Sequence, residues 1–507
     1  MELEHSYDHT WEQALVAALL GTQRREPPVL AGAAQPSRPA EQSLLDAAAL
    51  LGLYRRAAFR AEPISAPQQR APHDDLPEAS QRSSRYLAIM LDGQHRQLLS
   101  EWLEACVRHQ RRIPAVLLPK LLDYGKNQPS LQAAILPALG TRGQWLAAQN
   151  PDWAYVRLDP ALLDWETGSR ADRLALLAHL HRHAPSEAIT RLDSTWASER
   201  AEDRALFVSA LEADLSAHDQ AFLESILNDR SKEVRQRAAM LLARIPGSAL
   251  AQRMLQRAEQ LLQWTAPVAG NLLLLRRGSP AMLSVSLPET YDDSMKRDGI
   301  EQRPVGNFKG GERAWWLHQI LRAIPPAHWT MLWKDQPLAI LQIAAKTEWE
   351  DVLLSAWMEA SIHFRDASWA EAILQRDPRR AEVMAAIPAE RQEAFLLSML
   401  AGQCVPLHRH PVLALLRETK HIWSMQLARA VLATLRRHIQ ASKDTTDYTL
   451  RSALLEDFVR RIPHTMVQEV AALQSEQKAE RWIGTLEQML VILQFRYDML
   501  ERMKDEG

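Results

Sequence analysis

Asn228 to Pro246 reads NDRSKEVRQRAAMLLARIP and decides the fold, because it has the form of a helix-turn-helix unit that recurs at a fixed interval. The second helix of the unit starts near Val234 and sets Ala238, Ala239 and Leu242 at offsets of three, four and seven from Arg235. That is the spacing of a helical stripe facing a core. Moving back 31 residues from Arg235 reaches Arg204, followed at the same offsets by Phe207, Val208 and Leu211. Another 31 reaches Arg173, followed by Leu176, Leu177 and Leu180. The preceding helices align too, with Trp165, Trp196 and Leu227 in one register. One more step reaches Arg142, where Trp145 and Leu146 hold the pattern and Gln149 breaks it.

A two-helix unit that cannot bury its apolar face alone must stack on copies of itself. The repetition therefore predicts an all-α fold, a HEAT-like α-solenoid of stacked antiparallel helix pairs with one irregular central insertion. Asp172-Arg173 and Asp203-Arg204 resemble the acid and arginine that link successive HEAT repeats, and are expected to form a structural ladder rather than a site.

With 507 residues the chain is long enough for a large buried core, and 47 % hydrophobic content with only 18 glycines suits helices rather than sheet. The net charge of −2 leaves no overall basic field of the kind that drives nonspecific phosphate binding. Cys106 and Cys404 form no paired motif, so neither a disulfide framework nor a thiolate zinc site is indicated. The polar start MELEHSYDHTWEQ lacks a signal pattern, and no stretch approaches the ~20 apolar residues that a spanning helix needs. A cytoplasmic protein without a membrane partner is expected.

Residues 1–61 read as an N-terminal helical segment, with helices from Trp11 to Leu20, capped by Thr10 with Gln13, and from about Ala40 to Arg60. The proline-rich stretch 62–80 reads as a linker or loop, and 81–265 as the repeat solenoid. Across 266–311 the helical stripe disappears, Leu283 to Leu287 alternates like a short strand, and a long polar loop follows. Loops of that length are usually functional or disordered. Residues 312–507 resume as a second, diverged repeat region, ending in a helix from about Glu476 to Met503 that would cap the stack.

No phosphate loop, nucleophile elbow, dinucleotide turn or zinc helix is present. No catalytic residue, cofactor or metal site is assigned. His179 and His183 share a helix face without a visible third ligand. The tryptophans of the second half, among them Trp315, Trp316, Trp329, Trp333, Trp349, Trp357 and Trp369, read as core between helices, with a peptide-binding groove as the rival. Basic clusters at 108–112, Arg379-Arg380, Arg436-Arg437 and Arg460-Arg461 fall mostly at helix ends, where they complement the helix dipole. In the polar loop, Asp292, Asp293 and Asp298 lack the oxygen spacing of a calcium loop.

Several stretches in order carry a family resemblance: Trp11 with Ala18 to Arg24, Gly140 to Ala147 with Asn150-Pro151 and Trp153, Asp229 to Met254, and Arg297-Asp298-Gly299-Ile300. Together they resemble a bacterial family of unknown function whose members look like helical-repeat proteins. They tend to be encoded beside MoxR-type AAA+ ATPases, von Willebrand factor A (VWA) domain proteins and SWIM zinc-finger proteins. The resemblance implies a non-enzymatic scaffold or adaptor working with such an ATPase and its VWA partner. The expected points of contact are Gly21, Thr22 and Arg24, then Arg142, Gly143 and Trp145, then Arg297, Asp298 and Gly299. For Gly21 and Gly143 the plainer alternative is a positive φ at a helix end. Two other readings stand beside the scaffold: a nucleic-acid-binding repeat protein with its arginines on one face, and an enzyme whose centre is the 288–311 loop.

Overall fold

A computed structural model describes residues 2–29, 39–57, 71–156, 164–267, 279–306, 308–402, 406–441, 448–476 and 480–504. The chain is 72 % helical, and its sheet among the described residues has two strands, so the fold is all-α, with helical packing consistent with a solenoid. It divides into two compact units, Met1–Arg70 and Ala71–Gly507. The expected helix end at 58–60, residues 62–70 of the expected linker and Cys404 lie outside the described residues.

In the first unit, α1 (Glu2–Leu20) pairs with α2 (Ala40–Ala57) through small buried residues, Ala14, Ala17 and Ala47, with Leu51. Helix α1 starts well before Trp11, so Thr10 lies inside the helix and is not its cap. The polar first two turns carry no apolar stripe, and their helicity therefore left no periodic signal.

The second unit opens with residues 71–80 held in place: Ala79 is buried, and backbone N–H groups of Ala79 and Arg112 donate to the carbonyls of Arg112 and Pro77, both at 3.0 Å. Ser80 then caps α3 (Gln81–Leu91), its Oγ accepting from the N–H of Ser83 at 3.2 Å. With α4 (Leu99–Arg108), α5 (Leu118–Asn127) and α6 (Gly140–Ala148) it encloses a first core that includes Leu87, Leu99, Trp102, Leu121 and Ile135.

The repeat register governs the next helices: α7 (Arg170–His183) packs on α8 (Ala201–Ala210), and α8 on α9 (Lys232–Arg244). The stripes read from the sequence are buried at Leu176 and Leu177, then Phe207, Val208 and Leu211, then Ala238, Ala239 and Leu242, while Leu180 is half-buried against the same core. The arginine that opens each stripe is buried or half-buried for a reason. Arg173 lies 4.7 Å from the ring centroid of Trp165 and pairs with Glu199; one period on, Arg204 lies 5.7 Å from Trp196 and donates from Nη2 to Asp229 at 3.0 Å. A ladder therefore links the repeats, but its acids are Glu199 and Asp229. Asp172 instead completes a capping box with Ser169, and Asp203 takes Arg170.

After α10 (Ala249–Leu261) the chain forms β1 (Leu262–Thr265), which pairs antiparallel with β2 (Met282–Val285) in the register Leu262 to Val285. A short helix, α11 (Asp293–Arg297), interrupts the polar loop, capped by Asp292, whose carboxylate accepts from the N–H of Met295 at 2.8 Å. Then come α12 (Gly311–Arg322), α13 (Glu350–Phe364) and the remaining helices, all on the second, larger core that starts at Trp165. Trp329, Trp357 and Trp369 are each at most 1 % exposed within it, so these tryptophans are core. The last helix, α14 (Glu480–Lys504), does more than end the stack: Trp482, Leu486, Met489 and Leu493 belong to the second core, while Met499 and Met503 belong to the first. No described helix is long and apolar enough to cross a membrane.

Candidate functional site

The stretch Arg297-Asp298-Gly299-Ile300 is sewn onto the repeats rather than looped out into water. Asp298 is 1 % exposed, accepts from Arg253 Nε at 3.1 Å and Nη2 at 2.7 Å, and forms an ion pair with Arg257 Nη1 at 2.7 Å, both arginines projecting from α10. The Asp298 contact, with Glu224 assisting, holds the Arg253 guanidinium even more firmly protonated than usual. Glu224 also takes Arg297 Nη2 at 3.2 Å. Gly299 sits at φ +80°, and a Cβ there would meet Ala239 Cβ of α9 at 2.8 Å, so both the backbone conformation and the close approach require glycine. The carbonyl of Ile300 accepts from Tyr291 Oη at 2.8 Å. The Gln319 side chain of α12 completes the attachment, accepting from the N–H of Glu301 at 2.8 Å and donating to its carbonyl at 3.0 Å.

Locking this stretch against α9, α12 and α13 leaves a cleft of about 70 Å³. The buried Ala239, Ala243, Met254 and Ile300 line its base, the exposed Met240 its apolar edge, and Gln236, Arg322, Glu359 and His363 the rest of its rim. The rim charges are already engaged. Arg322 Nη1 lies 3.4 Å from one oxygen of Glu359, and His318 Nε2 3.4 Å from the other. Burial raises the Glu359 carboxyl, but His318 and Arg322 outweigh it and keep the group below its ordinary range. Burial depresses His363, whose Nε2 lies 2.8 Å from the carbonyl of Met240; with Nε2 donating, Nδ1 is left as the acceptor of a neutral ring. The space holds several water molecules or one branched aliphatic side chain.

The other expected contact points fall elsewhere. Arg142, Gly143 and Trp145 lie within helix α6 and not in a turn. Gly143 is buried with a helical backbone, and a Cβ there would meet Leu139 Cβ at 2.8 Å; it serves close packing, and it is Gly140, at φ +63°, that carries the positive φ. The N–H of Thr141 donates to Asp74 at 2.9 Å, tying α6 to the segment before α3. These residues border the first core, whereas Asp298 and Gly299 border the second. Gly21, in the first unit, ends α1 at φ +88° as a helix-terminating glycine does; Thr22 Oγ1 donates to Glu41 at 2.9 Å, and the N–H of Arg24 to the Gly21 carbonyl at 2.9 Å.

The remaining candidates are placed by their partners. His179 and His183 approach ring to ring at 4.6 Å, and the described residues hold no group of three or more metal-ligating side chains. Between them His181 is buried, its Nε2 2.8 Å from the equally buried Asp219. The helix-end basics are used locally: Arg112 on Glu78 at 2.8 Å, Arg379 on Asp377 at 2.9 Å, Arg436 on Glu476 at 2.9 Å, and Arg461 on the carbonyls of Leu416 and Arg417. Of the loop carboxylates, Asp292 is a cap, held below its ordinary range by the Ser294 hydroxyl and the Met295 N–H, and Asp298 is spent on two arginines.

A model of the family of unknown function DUF5691 matches residues 13–503. The chain belongs to that family. No curated protein and no solved structure matches it. The match takes in the repeats, the Asp298 loop and nearly all of α14, so in this DUF5691 chain the cleft and both cores lie inside the family's extent. The rim residues Arg322, Glu359 and His363 were not legible in the sequence, because each looks like an ordinary helical polar residue until its helix is placed. The one available signal was the aperiodic Arg297-Asp298-Gly299-Ile300 set beside a strictly periodic helix.

Proposed function

We propose that this protein is a non-enzymatic HEAT-like scaffold or adaptor of the bacterial cytoplasm, and that it seats an apolar side chain of a protein partner in the cleft between Met240 and Ile300. The observation that carries this reading is the cleft itself. An apolar floor with a rim of self-compensated charges favours insertion of an apolar anchor over retention of a charged substrate. Engagement of the loop carboxylates by capping contacts and arginines weighs against an enzymatic centre, and the local pairing of the helix-end arginines weighs against a free basic face. From the family resemblance, the partners to test first are a MoxR-type AAA+ ATPase and a VWA-domain protein.

The test is affinity purification of the tagged chain from its host, with and without nuclease, beside a Met240→Asp variant that sets a charge on the cleft's exposed apolar edge. Nuclease-resistant recovery of the ATPase or VWA protein, lost with Met240→Asp, is the expected result. Recovery of nucleic acid alone, or of the same proteins with the variant, would overturn the assignment of partner class or of site respectively.

A further inference from the structure

Helix α14 is the element that supplies buried side chains to both cores among the described residues, and its junction with the first core has an unusual composition. Arg496 is fully buried. Its Nη1 donates to the carbonyls of Val459, at 3.1 Å, and Ile462, both of which belong to the second core. Its other edge faces Glu101 of α4, with Nε at 2.6 Å from one carboxylate oxygen and Nη2 at 2.7 Å from the other. Phe495 stacks edge-on against Tyr86 at 5.0 Å and lies 4.4 Å from the His95 ring, and Met503 Sδ accepts from Ser83 Oγ at 3.5 Å. The first core thus meets α14 through one bidentate ion pair, the buried Met499 and Met503, and the partly buried Ile492, Phe495 and Leu500.

We propose that α14 is a latch that stays with the second core and from which the first core undocks as a folded body. Two features favour undocking over unfolding. A buried ion pair gives back most of its desolvation cost when both groups return to water, so separating it costs less than its short distances suggest. Arg496 also keeps its Val459 and Ile462 carbonyl partners in the undocked state, so the second core loses no internal hydrogen bond. The two apolar side chains that α14 buries fully in the first core, Met499 and Met503, are both methionine, which repacks readily on either side of such a switch.

Thiol labelling of the full chain tests this, read peptide by peptide by mass spectrometry. Met503→Cys places a probe at the junction, and Met489→Cys places one on the same helix inside the second core. The native Cys106, buried in the first core, reports whether that core stays folded. Without denaturant, position 503 should label at least tenfold faster than position 489 or Cys106. Glu101→Gln should speed position 503 tenfold or more and leave the other two unchanged. One common rate for all three, or a Glu101→Gln effect that is absent or equal at all three, would overturn the latch.

Discussion

Two regions of the molecule use the same chemistry for different ends. In the repeats, Arg204 is buried against Trp196 and Asp229, in the register that sets Arg173 against Trp165 and Glu199, and the result is a joint between neighbours. At the Asp298 loop the polarity is reversed: the carboxylate is the buried visitor, brought by an aperiodic stretch, and the arginines wait on the helix. The repeat joint fills its space; the loop joint leaves a cleft beside it. A charge pair carried by the period stitches, whereas one delivered across the period shapes a surface.

Breaking the loop joint should have the largest effect. Asp298→Ala removes the buried carboxylate that Arg253 and Arg257 share, but these arginines are 27 % and 21 % exposed and Arg253 keeps Glu224, so the loss should fall at the lower end of the about 3–5 kcal/mol that breaking a buried charge pair costs. Thermal unfolding should show a lower Tm, and the loop around the buried Ile300 should become accessible to limited proteolysis. An unchanged Tm would mean that the two arginines reach water without Asp298. The repeat joint comes next: Arg204→Met strands Asp229, which is only 6 % exposed, but the methionine still packs on Trp196, so about 2–3 kcal/mol is expected from chemical denaturation. Arg173→Met should cost less, because the Arg173 side chain is already 16 % exposed.

The repeats were legible because each stripe is written in consecutive offsets on one helix, so Leu176, Phe207 and Ala238 declare their burial locally. The ladder's arginines were legible for the same reason. Its acids were not, since Glu199 and Asp229 lie 26 and 25 residues on, in connecting segments where nothing local marks a partner. The cleft was least legible. Met240, Ile300, Arg322 and His363 come from three helices and a loop, and only packing makes them neighbours. Arg142 failed differently: a glycine-rich string that reads as a turn is helical, because Gly140 absorbs the positive φ and Gly143 lets α6 lie close to Leu118.

Gly299 sharpens the contrast with Gly21. Both have positive φ, but only at Gly299 is the space occupied as well. Gly299→Ala should therefore combine backbone strain with a clash against Ala239, about 1–3 kcal/mol, whereas Gly21→Ala, with nothing within 4 Å of the added methyl, carries backbone strain alone, about 1 kcal/mol. Equal losses in Tm would mean that α9 yields to the extra methyl.

The smallest effect separates cleft from repeat by pH. Burial, together with the nearby Arg244 and Arg322, lowers the His363 pKa, with the Met240 carbonyl and Glu212 opposing only in part. The unfolded chain, with an ordinary value of about 6.5, therefore binds a proton that the folded chain refuses, so this contribution to stability is present above that pH and is lost as pH falls through the window beneath it. His363→Gln, which keeps a donor for the Met240 carbonyl, should flatten part of the fall in Tm between about pH 7 and pH 5. His95 and His464, also lowered by burial, keep the remainder. Because no repeat stripe read from the sequence includes a histidine, the residual slope should be insensitive to Arg204→Met. A slope that changed with Arg204→Met and not with His363→Gln would place the pH response in the stitched joints instead of the cleft.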